Sequence, residues 1–211
     1  TDFIFGASKQ SLRPGMKNSM VLENWVDEKR FIDFKKKKPS NYIFIGRLEE
    51  VKNPMRLLKS WINCDATLCI YGEGPLKKKM LKYIEDHDLD HRVFLMGQVK
   101  NISKAFESAI ALLISSDREG SPKVLYESLY SEVPVISTNV GVMNDVLPKS
   151  CISKVNDSQF SELLEKWIGK NDELKNAQKH LFRKVQKENV LNVQEQVVRK
   201  TYQALLSKAS K

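Results

Sequence analysis

From residue 41 onward, short apolar runs alternate with stretches whose apolar residues recur every three or four positions. Asn41 to Gly46 reads as a buried strand, rich in β-branched and aromatic residues. Asn53-Pro54 then opens a helix whose apolar face is Met55, Leu57, Leu58 and Trp61. Thr67 to Tyr71 reads as the next strand, closed by Gly72-Glu73-Gly74-Pro75, and a basic helix follows to about Asp86. Arg92 to Met96 reads as a strand ended by Gly97, Ile102 to Ser108 as a short helix, and Ile110 to Ile114 as a strand ended by Ser115-Ser116. Pro122 to Ser131 is a helix by pattern, Val133 to Ser137 a strand, and Cys151-Ile152-Ser153 a last short one.

Such strand–helix alternation predicts an α/β fold, a Rossmann-like parallel sheet with helices on both faces. The boundaries expected are 1–40 for a leading linker, 41–155 for the sheet domain and 156–211 for C-terminal helices. Before residue 41, Phe3 to Gly6 and Met20 to Glu23 read as two further strands, and Lys35 to Ser40 as a solvated connection. In the tail, Leu163, Leu164, Trp167 and Ile168 form one apolar stripe. Val193, Val197, Val198, Leu205 and Leu206 form another, suited to docking on this domain or on a domain outside the chain.

A length of 211 residues suffices for one sizeable core, and 41% hydrophobic with 29% charged residues is ordinary for a globular domain. No apolar run approaches the ~20 residues that cross a bilayer, and no signal-peptide pattern opens the chain. The first residue is not methionine and the opening is already strand-like, so the chain reads as a piece of a longer protein. Three cysteines without paired spacing argue against a disulfide framework or structural zinc and for a reducing cytosol. A net charge of +9 admits nucleic acid, an anionic membrane surface or phosphorylated small molecules as partners. Few aromatics interleave with the basic clusters, which disfavours nucleic acid.

Ligands of open parallel sheets bind beyond the carboxyl ends of the strands. Four loops in this chain follow strands: Gly46-Arg47, Gly72 to Gly74, Gly97 to Lys100 and Ser115 to Ser121. In the last, Ser121 is a helix-capping residue and Pro122 suits a first helical position. The free amides of the stretch Gly120 to Val124 and the helix dipole then favour a phosphate. Glu119 and Glu127 lie on either side to accept hydroxyls, or are simply acids near a helix N-terminus. Arg47 and Lys52 supply cations for a diphosphate, or are solvated surface charges. Asp88-Leu89-Asp90, and His87 with His91, fall in a helix-to-strand turn and are better read as solvated, so no metal is expected.

In this order and spacing the residues resemble the C-terminal, nucleotide-sugar-binding half of retaining glycosyltransferases of family 4, which have the GT-B fold. Asn24-Trp25-Val26-Asp27 resembles an NGVD segment, Gly46-Arg47-Leu48 through Lys52 a GRL…K element, and Tyr71 to Pro75 a GxGP turn. Arg92 to Gly97 is similar to an RVxFLG strand, Ser115 to Glu127 to an S…EG(x)P…E block, and Pro134-Val135-Ile136 with Gly141 to a PVI…G segment. The resemblance implies that Arg47, Lys52 and Glu119 carry catalysis. It implies that Gly46, Val99, Gly120, Ser121, Pro122, Lys123, Val124 and Glu127 hold the donor, with Val99 at the base and Glu127 at the ribose. It also implies a UDP-sugar donor without a metal cofactor and a lipid-linked saccharide acceptor of O-antigen or capsule type. The place of action would be cytoplasmic, peripheral on the inner face of the plasma membrane.

Three departures stand out. Glu132-Val133 replaces a small pair, Gly141-Val142 replaces a double glycine, and the acceptor-binding N-terminal half is absent, so the chain alone is expected to transfer little. A basic α/β module for an anionic partner and an epimerase acting on UDP-N-acetylglucosamine are the alternative readings.

Overall fold

The computed structural model describes residues 4–6, 12, 15 and 19–209, with the side chains of residues 208 and 209 left aside. Sixteen regular elements follow one another: β1 (Ile4–Gly6), β2 (Ser19–Val21), β3 (Asn41–Ile45), α1 (Pro54–Trp61), β4 (Leu68–Tyr71), α2 (Lys77–Asp86), β5 (Val93–Gly97) and α3 (Ser103–Phe106). Then come β6 (Ala109–Ile114), α4 (Lys123–Tyr130), β7 (Val135–Thr138), α5 (Met143–Val146), β8 (Ile152–Ser153), α6 (Asp157–Trp167), α7 (Asn171–Glu188) and α8 (Leu191–Ala209).

Six strands form one sheet in the order β5-β4-β3-β6-β7-β8, and every neighbouring pair is parallel. β1 and β2 pair separately, also in parallel. The order of strand addition reverses at β3: β4 and β5 build outward on one side, β6 to β8 on the other. This switch point opens a crevice at the carboxyl ends of β3 and β6.

Side chains alternate along each strand, so each core sits on one face. Phe44, Leu68 and Ile70 face Leu58 and Trp61 of α1, Met80 of α2 and Phe160 and Leu164 of α6. Ile43, Leu112 and Val135 face Phe106 of α3, Leu125 and Leu129 of α4 and Phe182 of α7. Near-continuous apolar strands are what a sheet covered on both sides demands. Gln178, fully buried in α7, brackets β7 by donating to the Val135 carbonyl (2.8 Å) and accepting from its amide (3.0 Å).

The strands and helices fall where the pattern puts them, with small shifts at their ends. The expected strand at Val133 to Ser137 begins at Val135, because Pro134 has no N–H and Val133 closes the preceding turn on Ser128 (2.9 Å). Helix α3 is one turn, shorter than Ile102 to Ser108, because the carbonyls of Glu107 and Ser108 accept from the amides of Lys37 and Ser40. The exposed 35–40 segment is therefore tied down, and Lys36 Nζ also donates to the carbonyls of Ser131 (2.9 Å) and Glu132 (2.7 Å) at the end of α4. Along α8, Val193, Val197, Val198 and Leu205 are half-buried while Leu206 is exposed, and Thr201 donates to Met20 Sδ at 3.4 Å.

The loops after β3 and β4 touch backbone to backbone. Leu48 donates to the Glu73 carbonyl (3.0 Å), and Leu76 to the Leu48 carbonyl (2.9 Å). Gly72, at φ +149°, makes the approach possible: a Cβ there would lie 1.8 Å from the Gly46 carbonyl oxygen. Gly72→Ala is expected to destabilise the fold by about 2–4 kcal/mol in urea unfolding. Gly120→Ala, with nothing within 4 Å of its added Cβ, is expected to cost under about 1 kcal/mol. Equal losses at the two positions would contradict this placement.

Candidate functional site

Two loops at the carboxyl end of the sheet carry most of the expected residues, and the chain builds each from local rules. After β3, residues 46–53 turn through a short 3-10 turn (Glu50–Lys52) into α1. Asn53 sits in the left-handed region (φ 42°, ψ 55°), and its side chain accepts the Arg56 amide at 3.0 Å. Asparagine tolerates that conformation and caps the helix, so one residue makes both the turn and the helix start. After β6, residues 115–122 lead into α4, and Glu119 lies in this second loop.

The loops are joined by an ion pair. Lys52 Nζ donates to both oxygens of Glu119, at 2.6 and 2.8 Å, and the Ser116 hydroxyl donates to Glu119 Oε1 at 2.7 Å. Both charged side chains are largely buried. An ammonium held on a carboxylate that a hydroxyl of its own loop anchors is preorganised, its position fixed across the loops that follow β3 and β6. A phosphate arriving there meets a cation already in place.

Helix α4 differs from expectation at its start. Pro122 is extended (φ −71°, ψ 130°) and occupies the cap position itself, with no side-chain capping bond, so the helix runs Lys123–Tyr130. Ser121 therefore stands one position outside the cap, and Asn24 Nδ2 donates to its carbonyl. Pro122 carries no N–H, so the expected row of amides from Gly120 to Val124 has a gap there. Gly120 is open around its Cα, which leaves room for a ligand. Gly141 has no such freedom: at φ +54° its Cβ would fall 1.9 Å from the Gly120 carbonyl oxygen, and Val142 donates to that same oxygen at 3.0 Å. The glycine kept at 141 lets the loop after β7 brace the Gly120 peptide.

Glu127 lies one turn into α4 and is only 5% exposed. Burial pushes its carboxyl above the usual range, while Arg30 and Lys123 pull it back. Arg30 Nη1 meets Glu127 Oε1 at 2.8 Å. Beside it, burial pushes the Tyr126 phenol up to about 12. Neither Tyr126 nor Ser121 places its buried hydroxyl in a well-aligned hydrogen bond among the described residues.

Arg47 stands apart from Lys52. It is exposed, pairs with Glu49 at 3.2 Å, and lines a cavity of ≈ 430 Å³ with Gly46, Tyr71, Val99 and Ile102. Arg30 lines the same cavity while holding Glu127, so it joins the cavity to α4. The expected residues thus form two groups, Lys52 with Glu119 and Arg47 with Gly46 and Val99, connected through Arg30 and Glu127. A second cavity of ≈ 430 Å³ between α5, α7 and α8 is lined by the acids Glu23, Asp145 and Glu188 and by the cation Lys184, a balance that disfavours phosphate.

In the sequence only Asn24 to Asp27 of the leading segment reads as a motif, and the contacts of residues 24–30 to α4 could not be seen there. Lys123 Nζ lies 5.5 Å from the centre of the Trp25 ring, Asn24 holds Ser121, and Arg30 holds Glu127. Val26 forms an isolated bridge with Val190, at the junction of α7 and α8. His87 stacks on Tyr83, whose carbonyl accepts from His87 Nδ1 at 2.9 Å, and no group of three or more potential metal-ligating His, Cys, Asp or Glu side chains occurs among the described residues.

Comparison with known proteins bears on the family and the fold. The Campylobacter jejuni GalNAc-alpha-(1->4)-GalNAc-alpha-(1->3)-diNAcBac-PP-undecaprenol alpha-1,4-N-acetyl-D-galactosaminyltransferase is 37% identical over 103 residues, 46% of this chain and 28% of its own length. The Erwinia amylovora amylovoran biosynthesis glycosyltransferase AmsD is 32% identical over 111 residues, 51% of this chain and 32% of its own length. The chain therefore matches about a third or less of these relatives' length. Anabaena HepE, solved in complex with UDP, superimposes with a TM-score of 0.78 over 89% of this chain and 58% of its own, at 13% identity. The fold is thus the Rossmann-like half of a GT-B enzyme, with helices closing the C-terminal end. The family model for group 1 glycosyl transferases matches residues 26–184, from the linker through most of α7, and the chain belongs to that family.

Proposed function

We propose that this chain is the donor-binding half of a retaining glycosyltransferase of bacterial surface-polysaccharide biosynthesis. It moves a hexose or N-acetylhexosamine from a UDP-sugar to a lipid-linked saccharide at the cytoplasmic face of the membrane. The observation that carries this reading is the Lys52–Glu119 pair across the ends of β3 and β6, at the mouth of α4 and beside the cavity of Arg47 and Val99. Family membership supports glycosyl transfer over an anion-binding module. The relative acting on an undecaprenol-linked saccharide, the amylovoran enzyme and the UDP complex of HepE support the acceptor class, pathway type and nucleotide.

In this reading the uracil enters the 45–47 and 71–73 side of the cavity against Val99, and the ribose hydroxyls reach Glu127. The diphosphate lies between Lys52, Arg47 and the Lys123 and Val124 amides, where side-chain cations and the helix dipole take up its charge without a metal ion. Glu119 turns towards hydroxyls of the transferred sugar. The bond from the sugar's anomeric carbon to the β-phosphate breaks with its electron pair on UDP. The acceptor oxygen bonds the same carbon on the same face, and its proton leaves with the diphosphate. No helix among the described residues is long and apolar enough to cross a membrane.

Calorimetry tests the binding step. UDP is expected to bind the chain, and Lys52→Ala and Glu127→Gln are each expected to weaken it about tenfold or more. Unchanged affinity in both variants contradicts the reading. Glu127→Gln is also expected to hold or gain stability near neutral pH, because the buried carboxylate is penalised when ionised. A raised carboxyl pKa means that the folded state holds its proton more tightly than the unfolded chain does. The stability advantage of the glutamine variant should therefore shrink as pH falls through the raised pKa, and a growing advantage in urea titrations on acidification would contradict it. With donor and lipid-linked acceptor supplied, the chain alone is expected to give no more than trace transfer in a radiolabel assay, and robust turnover would overturn that division of labour.

A further inference from the structure

A single buried arginine ties helix α1 to the loop after β6 and to the start of α6. Arg56, on the first turn of α1 and 6% exposed, spends its guanidinium on three partners. Nη1 donates to the Ser115 carbonyl (2.8 Å), Nη2 meets Asp117 Oδ1 (2.8 Å), and Nε donates to Asp157 Oδ1 (2.7 Å) at the start of α6. Asp117 is fastened from two more sides. Its amide donates to the Val51 carbonyl (2.9 Å), and its carboxylate accepts from Asn53 Nδ2 (3.1 and 3.3 Å). The Ser115 hydroxyl reaches back to the carbonyls of Lys52 (3.1 Å) and Asn53 (2.9 Å).

Lys52 and Glu119 sit at the two ends of this knot. Lys52 precedes the cap Asn53, and Glu119 follows Asp117 by two residues. None of the Arg56 contacts goes to either of them; those to Ser115 and Asp117 fix the backbone of the loop that carries Glu119, and that to Asp157 seats α1, which Lys52 precedes, on the start of α6. We infer that Arg56, with Asp117, is a positioning residue for the donor diphosphate: it sets the separation of Lys52 and Glu119 without touching the ligand. The inference rests on the nucleotide-sugar reading above. Three-way geometry needs the planar fork of arginine; a lysine ammonium at the same place can hold one or two of the partners but cannot fix their mutual angles. A displacement of about an ångström between charge and phosphate is enough to lose binding energy at a preorganised site.

The test uses the 211-residue chain and two readouts. Calorimetric affinities for uridine and for UDP are compared in wild type, Arg56→Met and Asp117→Asn. Uridine lacks the phosphates, so its affinity is expected to stay within about twofold, whereas UDP affinity falls about tenfold or more in Arg56→Met and several-fold in Asp117→Asn. Asp117 is 44% exposed at its side chain, so its asparagine variant keeps the test alive should Arg56→Met fail to fold. In the ligand-free chain, hydrogen exchange at the amides of residues 116–120 is expected to speed about tenfold in both variants, with amides of β3 and β6 unchanged. Equal loss of uridine and UDP affinity, or no loss of either, overturns the positioning role, as does unchanged exchange in the 116–120 loop. A wild-type chain indifferent to UDP whose 116–120 loop still loosens in the variants keeps the knot and removes the nucleotide reading instead.

Discussion

The contact between the Lys52 ammonium and the Glu119 carboxylate governs the rest of the site. It spans the two loops that leave β3 and β6, on either side of the point where the sheet reverses its order. Two opposite charges largely withdrawn from water are stable only while paired, so each loop is constrained by the other. Helix α1 begins where it does because Asn53 turns the chain directly after Lys52, and α4 begins just after the glycine that follows Glu119 and the serine and proline beyond it. In the proposed reading, a diphosphate offered to this pair would supply the anion that frees Glu119 to bind a sugar hydroxyl, so that ligand binding and side-chain release would be one event.

Around that pair, polar contacts are spent on backbone position more than on surface charge. Thr138 Oγ1 donates to the Ser116 carbonyl at 2.6 Å, Gly141 braces Gly120, and Arg56 ties Ser115 and Asp117 to α1 and α6. The loop after β6 is therefore gripped on three sides and left open at Gly120, where a ligand needs to approach. Helix α4 contributes differently. It presents Lys123 and Val124 amides at its mouth and buries Glu127 one turn below, with Arg30 from the linker as partner. Retention of a carboxylate that burial disfavours is the kind of stability cost that functional sites carry.

The sheet and most helices were legible because parallel strands covered on both faces read as continuous apolar runs, and each was followed by an amphipathic stretch. Strand-end loops could be named for the same reason. What the pattern could not show was long-range pairing. Arg30 and Glu127 are 97 positions apart, Arg56 and Asp157 101, and Lys52 and Glu119 67, and nothing local marks any of them as partners. Ser121 looked like a cap because serine before proline has that propensity; the extended Pro122 and the Asn24 contact to the Ser121 carbonyl moved the helix start by one residue. Arg47 and Lys52 looked like one cluster by spacing, but the turn at Glu50–Lys52 sends them to different walls. The one-turn helix α5 went unseen: its four residues form too short a segment to set it apart from the loop after β7.

The central claim is that the mouth of α4, with Lys52 facing it, receives the diphosphate of an activated sugar. A crystal structure of the chain with UDP tests this most directly. The account predicts phosphate density within hydrogen-bonding distance of Lys52 Nζ and the Lys123 amide, with Glu119 moved off Lys52. Nucleotide density in the acid-lined cavity between α5 and α8, with the Lys52–Glu119 pair still closed, would contradict it.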